Sequence, residues 1–271
     1  MLGTSYSIQD IAQAALAKDL FQGIWDAPPI RYVEYDTRTI SHGEETIFVA
    51  LKTPNRNGHD FISKAYEKGV RHFITEEELP YLDVNYALVD NSWEALQSWA
   101  MFHRQQFSYP VIAITGSNGK TMVKEWLATL LEYQFQLVKS PKSYNSQLGV
   151  AISLLQMHPQ ADLALIEAGI SQKGEMEVLE QIIRPTHGIL THMGPAHADG
   201  FESFEDKLSE KLLLFQEVQK IWMGNKQRDV WQVVQALGKE WVSVGQDVNG
   251  QYVVTQDEVG ALQINNQAID L

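Results

Sequence analysis

The sequence predicts an α/β chain: a small N-terminal α/β domain followed by a doubly wound, mostly parallel sheet. Three observations predict it. From Pro110 onward, apolar strand runs alternate with helical stretches, the pattern of a parallel sheet with helices on both faces. One of those strands, VIAIT (111–115), runs directly into a loop holding two glycines and then into a helix. Shorter helices and strands precede the turn-forming triplet Ser108-Tyr109-Pro110, which marks a boundary between domains 1–108 and 109–271. A length of 271 residues suits two domains at roughly 150 residues each.

Taken in order, SIQDIAQAALA reads as a short amphipathic helix. Ser7 is its N-cap, and Ile8, Ile11, Ala12 and Ala15 share one face. Thr46–Leu51 is a buried-strand run. His59–Val70 carries Phe61, Ile62, Ala65 and Tyr66 at helical spacing, with Gly69 as a stop. HFIT (72–75) and YALVD (86–90) are strands, and Asn91-Ser92-Trp93-Glu94 is a capping box opening a helix to about Phe107. Past the boundary the strands are 111–115, 136–140, 161–168, 187–193 and 220–224, with a helix at Val123–Leu131 after the glycine loop. The tail segments VSVG, QYVV and ALQI, set between Gly- and Asn-containing turns, suggest a meander or β-ribbon.

Composition narrows the function. Asp plus Glu is 34 against 21 Lys plus Arg, a net charge of −13, so broad nucleic-acid or anionic-membrane binding is disfavoured. The chain has no Cys, which excludes disulfides, thiolate metal sites and a Cys nucleophile. No apolar run approaches a membrane span. MLGTSYSIQD lacks the basic and apolar regions of a secretory leader, so a cytoplasmic chain is expected.

The strongest motif is Thr115-Gly116-Ser117-Asn118-Gly119-Lys120-Thr121. Gly116 and Gly119 free the backbone to turn its N–H groups toward oxygens, and the following helix N-terminus adds positive potential. Lys120 can reach β- and γ-phosphates, and the Thr121 hydroxyl can ligate Mg²⁺. The usual spacing is altered, because Ile114 stands where the first glycine of the common motif falls.

Glu167 ends the strand ADLALIEA, at the sheet edge where ligands of such folds gather. There it suits a Mg²⁺ ligand as well as a solvated strand end. His197 follows the next strand at the same edge, whereas His192 reads as part of that strand, a core or edge residue. Lys211, in FEDKLSEKLLLF, reads on its own as a solvated helix-face residue. It could hold a cation only as a carbamate formed with CO₂. The seven Trp residues form no stripe and read as packing residues.

ITGSNGKT followed by VKEWLATLL resembles the ATP loop of the Mur ligases, the amide-forming enzymes of peptidoglycan synthesis. KSYNSQLGV, IEAGISQKGEM, HMGPAHADGF and EKLLLF follow in the family's order, and YDTRTI, FVALK and NGHDF resemble its UDP-sugar domain. The resemblance is strongest to the branch that adds D-alanyl-D-alanine to UDP-N-acetylmuramoyl-tripeptide, and SPKSYNSQLGV and EAGISQKGEME to forms fused ahead of an alanine racemase. It implies domains 1–108 for the UDP-muramoyl peptide and 109–271 for ATP, the latter incomplete. It assigns Lys120 to the ATP phosphates, Thr121 and Glu167 to a first Mg²⁺, and His197 with carbamylated Lys211 to a second. Asn145 falls near nucleotide and metal, and Asp36, Thr37, Arg38 and His59 along the UDP-sugar site. Two residues depart from the family: His192 stands where relatives usually carry Asn, and Asn57 where many carry Asp. The family's remaining central segment and its C-terminal, amine-binding domain have no counterpart in the sequence, so the chain alone is expected not to turn over. Single-amino-acid-adding Mur ligases and folylpolyglutamate synthases share the loop, but the DTR and FVALK motifs argue against the folate enzyme. A non-catalytic nucleotide-binding module keeping the fold is the reading from another class, and the intact Lys120, Thr121, Glu167, His197 and Lys211 argue against it.

Overall fold

The computed structural model describes residues 1–194, 200–224, 228–236, 238, 240–245, 252–256, 262–264 and 267–268. The chain divides into two compact units, Met1–Ser108 with Ala151–Gln160, and Tyr109–Val150 with Ala161–Leu271.

In the first unit, helix α1 (Ile8–Ala14) begins as its sequence dictates. The Ser7 hydroxyl accepts from Asp10 N–H at 3.2 Å while the Asp10 carboxylate accepts from Ser7 N–H at 3.1 Å, a reciprocal cap. Strands β1 (Asp19–Gln22), β2 (Tyr32–Glu34) and β3 (Thr46–Val49) are followed by a small antiparallel ribbon, β4 (Lys52–Thr53) with β5 (Arg56–Asn57). Gly58–Phe61 forms a 3₁₀ turn, so the helix expected from His59 is α-helical only as α2 (Ile62–Glu67). Strands β6 (His72–Thr75) and β7 (Asn85–Leu88) and helix α3 (Ser92–Gln105) complete the unit. The sheet order is β1-β7-β6-β3-β2, parallel apart from β1. β3 and β6 are buried at every position, as central strands covered on both faces are. Phe48 and Phe73 meet edge to face in a core that α2 covers with Ile62 and Ala65. Asn91 caps α3 by accepting from Trp93 and Glu94 N–H.

Ala151–Gln160 contributes to this first unit a hydrogen-bonded chain. Buried His103 shares a hydrogen bond with the Tyr6 hydroxyl through Nδ1, and its Nε2 pairs with Met157 O at 2.9 Å. Burial lowers the His103 pKa to about 4 and raises that of Tyr6 to about 12. His72 is lowered to about 4 by burial alone, and neither of its ring nitrogens has a hydrogen-bond partner among the described residues.

The second unit alternates β8 (Val111–Thr115), α4 (Lys120–Leu131), β9 (Leu137–Lys139), α5 (Gln147–Leu154, whose last turn groups with the first unit), β10 (Leu163–Glu167), α6 (Glu175–Ile183), β11 (His187–Leu190), α7 (Phe204–Leu212), β12 (Lys220–Gly224), α8 (Arg228–Ala236) and β13 (Glu240–Gly245). Strands β14 (Tyr252–Gln256), β15 (Leu262–Ile264) and β16 (Gln267–Ala268) follow. The sheet runs β16-β15-β14-β13-β12-β11-β8-β10-β9 among the described residues. All neighbours from β9 to β14 are parallel. The expected meander or ribbon is found in β14, β15 and β16, which pair antiparallel in sequence order, and is corrected for VSVG, which lies in β13 and extends the parallel sheet. β9 closes one end of the order, its Lys139 paired with Glu125 at 2.5 Å.

This order places β8 at the reversal. The chain leaves β8 toward β9, returns through β10, and crosses to β11 on the other side. The register aligns Glu167 with Ile114 and Leu190 with Thr115. The carboxyl ends of β8, β10 and β11 therefore share one edge, the position at which open α/β sheets bind ligands.

Candidate functional site

At that edge the glycine loop leaves β8. Gly116 has φ +142°, and a Cβ there would stand 2.0 Å from Thr191 Oγ1, so no side chain fits. Gly119 is the left-handed N-cap of α4, φ +87°, with no side-chain cap. The helix thus opens with its first-turn N–H groups unclaimed by a cap, and its dipole adds positive potential. The Thr191 hydroxyl donates to Thr115 O and Asn118 O, while Ser117 and Asn118 N–H donate to His192 O. These bonds hold the loop against the end of β11. They also correct the reading of His192, which lies beyond β11, is exposed, and serves the loop through its carbonyl.

The loop opens on a pocket of ≈ 440 Å³ lined by Ser117, Asn118, Gly119, Lys120, Thr121, Met122, Asn145 and Glu167. Lys120 Nζ folds back to donate to Gly116 O at 2.8 Å and Ser117 O at 3.3 Å. The Thr121 hydroxyl donates to the Glu167 carboxylate, 3.0 Å from Oε1 and 2.9 Å from Oε2. Asn145 Nδ2 donates to Glu167 Oε1 at 2.9 Å. Glu167 is 1% exposed, and its backbone N–H donates to Ser140 Oγ at 3.0 Å.

The donor set suits a phosphate with a hard cation. Thr121 and Glu167 present adjacent oxygens, the ligand type Mg²⁺ takes, with its remaining positions left to phosphate oxygens and water. Thr115 Oγ1 and Ser117 Oγ are buried without hydrogen-bond partners among the described residues, and unsatisfied hydroxyls at a phosphate loop are groups a ligand can satisfy. No group of three or more His, Cys, Asp or Glu able to hold a metal occurs among the described residues.

Lys211 departs from its expected place on a solvated face. Both it and Lys207 are buried in α7. Glu210, beside Lys211, accepts from Gly174 N–H at 2.8 Å and Met176 N–H at 3.2 Å, and Asp206, beside Lys207, pairs with Lys173. The helix bearing Lys211 is thereby fastened to the loop that follows Glu167. His197 lies outside the described residues.

Sequence reasoning missed Lys124. It is 0% exposed, one helical turn beyond Lys120, and its Nζ donates to Ser140 O at 2.7 Å and to Lys142 O. Glu125 Oε1 lies 3.1 Å away and Glu167 Oε2 3.7 Å. The one available signal is its i+4 spacing from Lys120, which puts both on one side of α4.

In the first unit, Asp36 and Arg38 form a bidentate pair, Nη2 to Oδ2 at 2.6 Å and Nε to Oδ1 at 3.0 Å. Arg38 hydrogen bonds hold the Asp36 pKa down to about 2, with Arg56 adding a smaller attraction. Thr37 is buried and its carbonyl accepts from Lys68 Nζ at 2.6 Å. Both ring nitrogens of His59 are engaged, Nδ1 with Asn57 Oδ1 at 2.8 Å and Nε2 with Glu76 N–H at 2.9 Å. Arg56, which sequence reasoning did not single out, stacks on Phe61 at 4.7 Å.

A family model described as the Mur ligase middle domain matches residues 114–261. The UDP-N-acetylmuramoyl-tripeptide--D-alanyl-D-alanine ligase of Rickettsia prowazekii is 34% identical over 189 residues, covering 69% of this chain and 41% of that protein. The Escherichia coli protein of the same name is 29% identical over 232 residues, covering 84% and 51%. The chain thus spans about half the length, or less, of the curated relatives it matches. Among solved structures, MurF from Acinetobacter baumannii superposes with a TM-score of 0.86 over 99% of this chain and 60% of that one, at 21% identity. MurF from Thermotoga maritima, solved in complex with ADP, gives a TM-score of 0.73 over 86% and 55%, at 24% identity. At these identities the superpositions establish the fold, and the middle-domain model, matching more than half of the 271 residues, establishes the rest: the chain belongs to the Mur ligase family.

Proposed function

We propose that the protein serves ATP-dependent amide-bond formation in peptidoglycan precursor synthesis, adding D-alanyl-D-alanine to UDP-N-acetylmuramoyl-tripeptide in the cytoplasm. The observation that carries this reading is the phosphate loop meeting a buried carboxylate, with Lys120, Thr121 and Glu167 converging on one pocket. The names of relatives at up to 35% identity support the substrate pair. In the proposed division of labour the first unit holds the UDP-muramoyl peptide and the second holds ATP.

The reaction begins when the terminal carboxylate of the tripeptide attacks the ATP γ-phosphorus, giving an acyl phosphate and ADP. The amine of D-alanyl-D-alanine then adds to the acyl carbon, and phosphate leaves as the amide forms. The protein's work is positioning and charge neutralisation. Backbone N–H groups of Gly116–Gly119 and the start of α4 cradle the phosphates. Lys120, now on loop carbonyls, swings onto the β- and γ-phosphates. Thr121 and Glu167 would hold a first Mg²⁺, with Asn145 fixing the carboxylate; His197 and Lys211, the latter as a carbamate, would hold a second. When bound, these ions neutralise charge developing on the transferring phosphoryl oxygens. Asp36, Thr37, Arg38 and His59 shape the UDP-sugar side, His59 by bracing its turn.

Calorimetric titration tests the reading. UDP-N-acetylmuramoyl-tripeptide should bind more tightly than UMP, and Lys120→Ala should weaken ADP binding in Mg²⁺ by at least about tenfold. A folded chain that binds none of these ligands would overturn it.

A further inference from the structure

A lysine with no exposed surface is an expensive residue for a helix, because its charge must be compensated inside the protein. The compensation at Lys124 comes from three segments of the chain. Two of its contacts are carbonyls of the segment after β9, Ser140 O and Lys142 O, and two are carboxylates, Glu125 and Glu167. Lys142 adopts a left-handed conformation, φ +49°, uncommon for a residue with a side chain and found where surrounding structure enforces it. Three residues further along the same segment, Asn145 donates to Glu167 Oε1. Ser140 Oγ accepts from the Glu167 N–H. The ammonium therefore joins the phosphate-loop helix, the Ser140–Asn145 segment and the carboxyl end of β10.

We infer that Lys124 is a positioning residue: it holds Glu167 and the Ser140–Asn145 segment in register with the phosphate loop, so that Thr121, Asn145 and Glu167 are prearranged for a nucleotide carrying a divalent cation. The inference rests on the nucleotide reading above. An apolar side chain would fill the same volume without fixing the two carbonyls or offsetting the buried carboxylate. Groups that orient a metal-binding carboxylate without touching the metal are those whose loss lowers metal affinity.

The test is titration of the chain with ADP, once with Mg²⁺ and once with EDTA, for the parent and for Lys124→Met. The quantity read is the factor by which Mg²⁺ strengthens ADP binding. Lys124→Met should lower that factor by about tenfold, leaving ADP affinity in EDTA within about twofold of the parent. A residue serving stability alone would lower the melting temperature and leave the factor unchanged, and that result overturns the inference. Should Lys124→Met fail to fold, Lys124→Gln decides, because it keeps a polar donor in the same volume but removes the charge facing Glu167 and the reach that joins Ser140 O to Lys142 O. It should lower the factor in the same direction, and an unchanged factor overturns the inference. A parent chain that binds ADP in neither buffer overturns the nucleotide reading, and this inference with it.

Discussion

Thr121 Oγ1 lies within 3.0 Å of both carboxylate oxygens of Glu167, across 46 residues of sequence. A single hydroxyl hydrogen thus spans the mouth of α4 and the end of β10, and the same oxygen has lone pairs left to offer a cation. Thr121→Ser keeps that hydroxyl and should bind ADP with Mg²⁺ within about threefold of the parent, whereas Thr121→Val should bind about 10–100-fold more weakly. Titration of both variants checks it.

Gly116 is confined by its backbone angle and by Thr191 Oγ1. Gly116→Ala should cost about 3 kcal/mol in urea unfolding, from strain and overpacking together. Combining it with Thr191→Ala should cost less than the sum of the single changes, since the added methyl then takes the place of the removed hydroxyl.

Two buried histidines set the acid side of the stability profile. Each has a folded pKa of about 4 against an ordinary 6.5, so the unfolded chain takes up the protons first. Their contribution is complete above pH 6.5 and is lost as pH falls toward 4. They differ in what replacement costs. His72→Leu, which removes two unpartnered nitrogens, should stay within about 1 kcal/mol of the parent at pH 7 and flatten the loss between pH 6.5 and 4. His103→Leu strands the Tyr6 hydroxyl and Met157 O and should cost about 2 kcal/mol or more at pH 7. Urea unfolding at several pH values separates the two.

Asp36 acts at lower pH. Its carboxyl titrates near 2 in the fold instead of 3.8, so what the Arg38 pair contributes is present above about pH 4 and lost between about 4 and 2. Arg38→Met should remove that segment of the profile, read by the same unfolding series.

Ser7→Ala should cost about 1 kcal/mol, the usual worth of an N-cap, measured by thermal unfolding.

The elements legible in the sequence were those written in local chemistry. Ser7 and Asn91 announced their helices because capping is a contact across three residues, and the VIAIT strand with its two glycines announced the loop at the sheet edge. What escaped was set by tertiary packing. Helix α4 turns Met122, Trp126 and Leu130 to the surface and buries Lys124, the reverse of what residue hydrophobicity suggests, because the carbonyls and carboxylates that accommodate the ammonium come from distant segments. Lys211 misled for the same reason: a lysine stem suits a surface or an interior equally until its neighbours are known. The tail strands were visible as strands, but whether β13 extends a parallel sheet or starts a ribbon depends on pairing with β12, which no local pattern encodes.

Strand β9 has a consequence of another kind. As the terminal strand of its sheet among the described residues it presents an edge of backbone hydrogen-bonding groups, a template on which sheet proteins can aggregate. Its brevity, three residues, and the charged Lys139–Glu125 pair at its end make it a poor template for such recruitment. One edge of the sheet is thus closed by a strand too short and too charged to be copied.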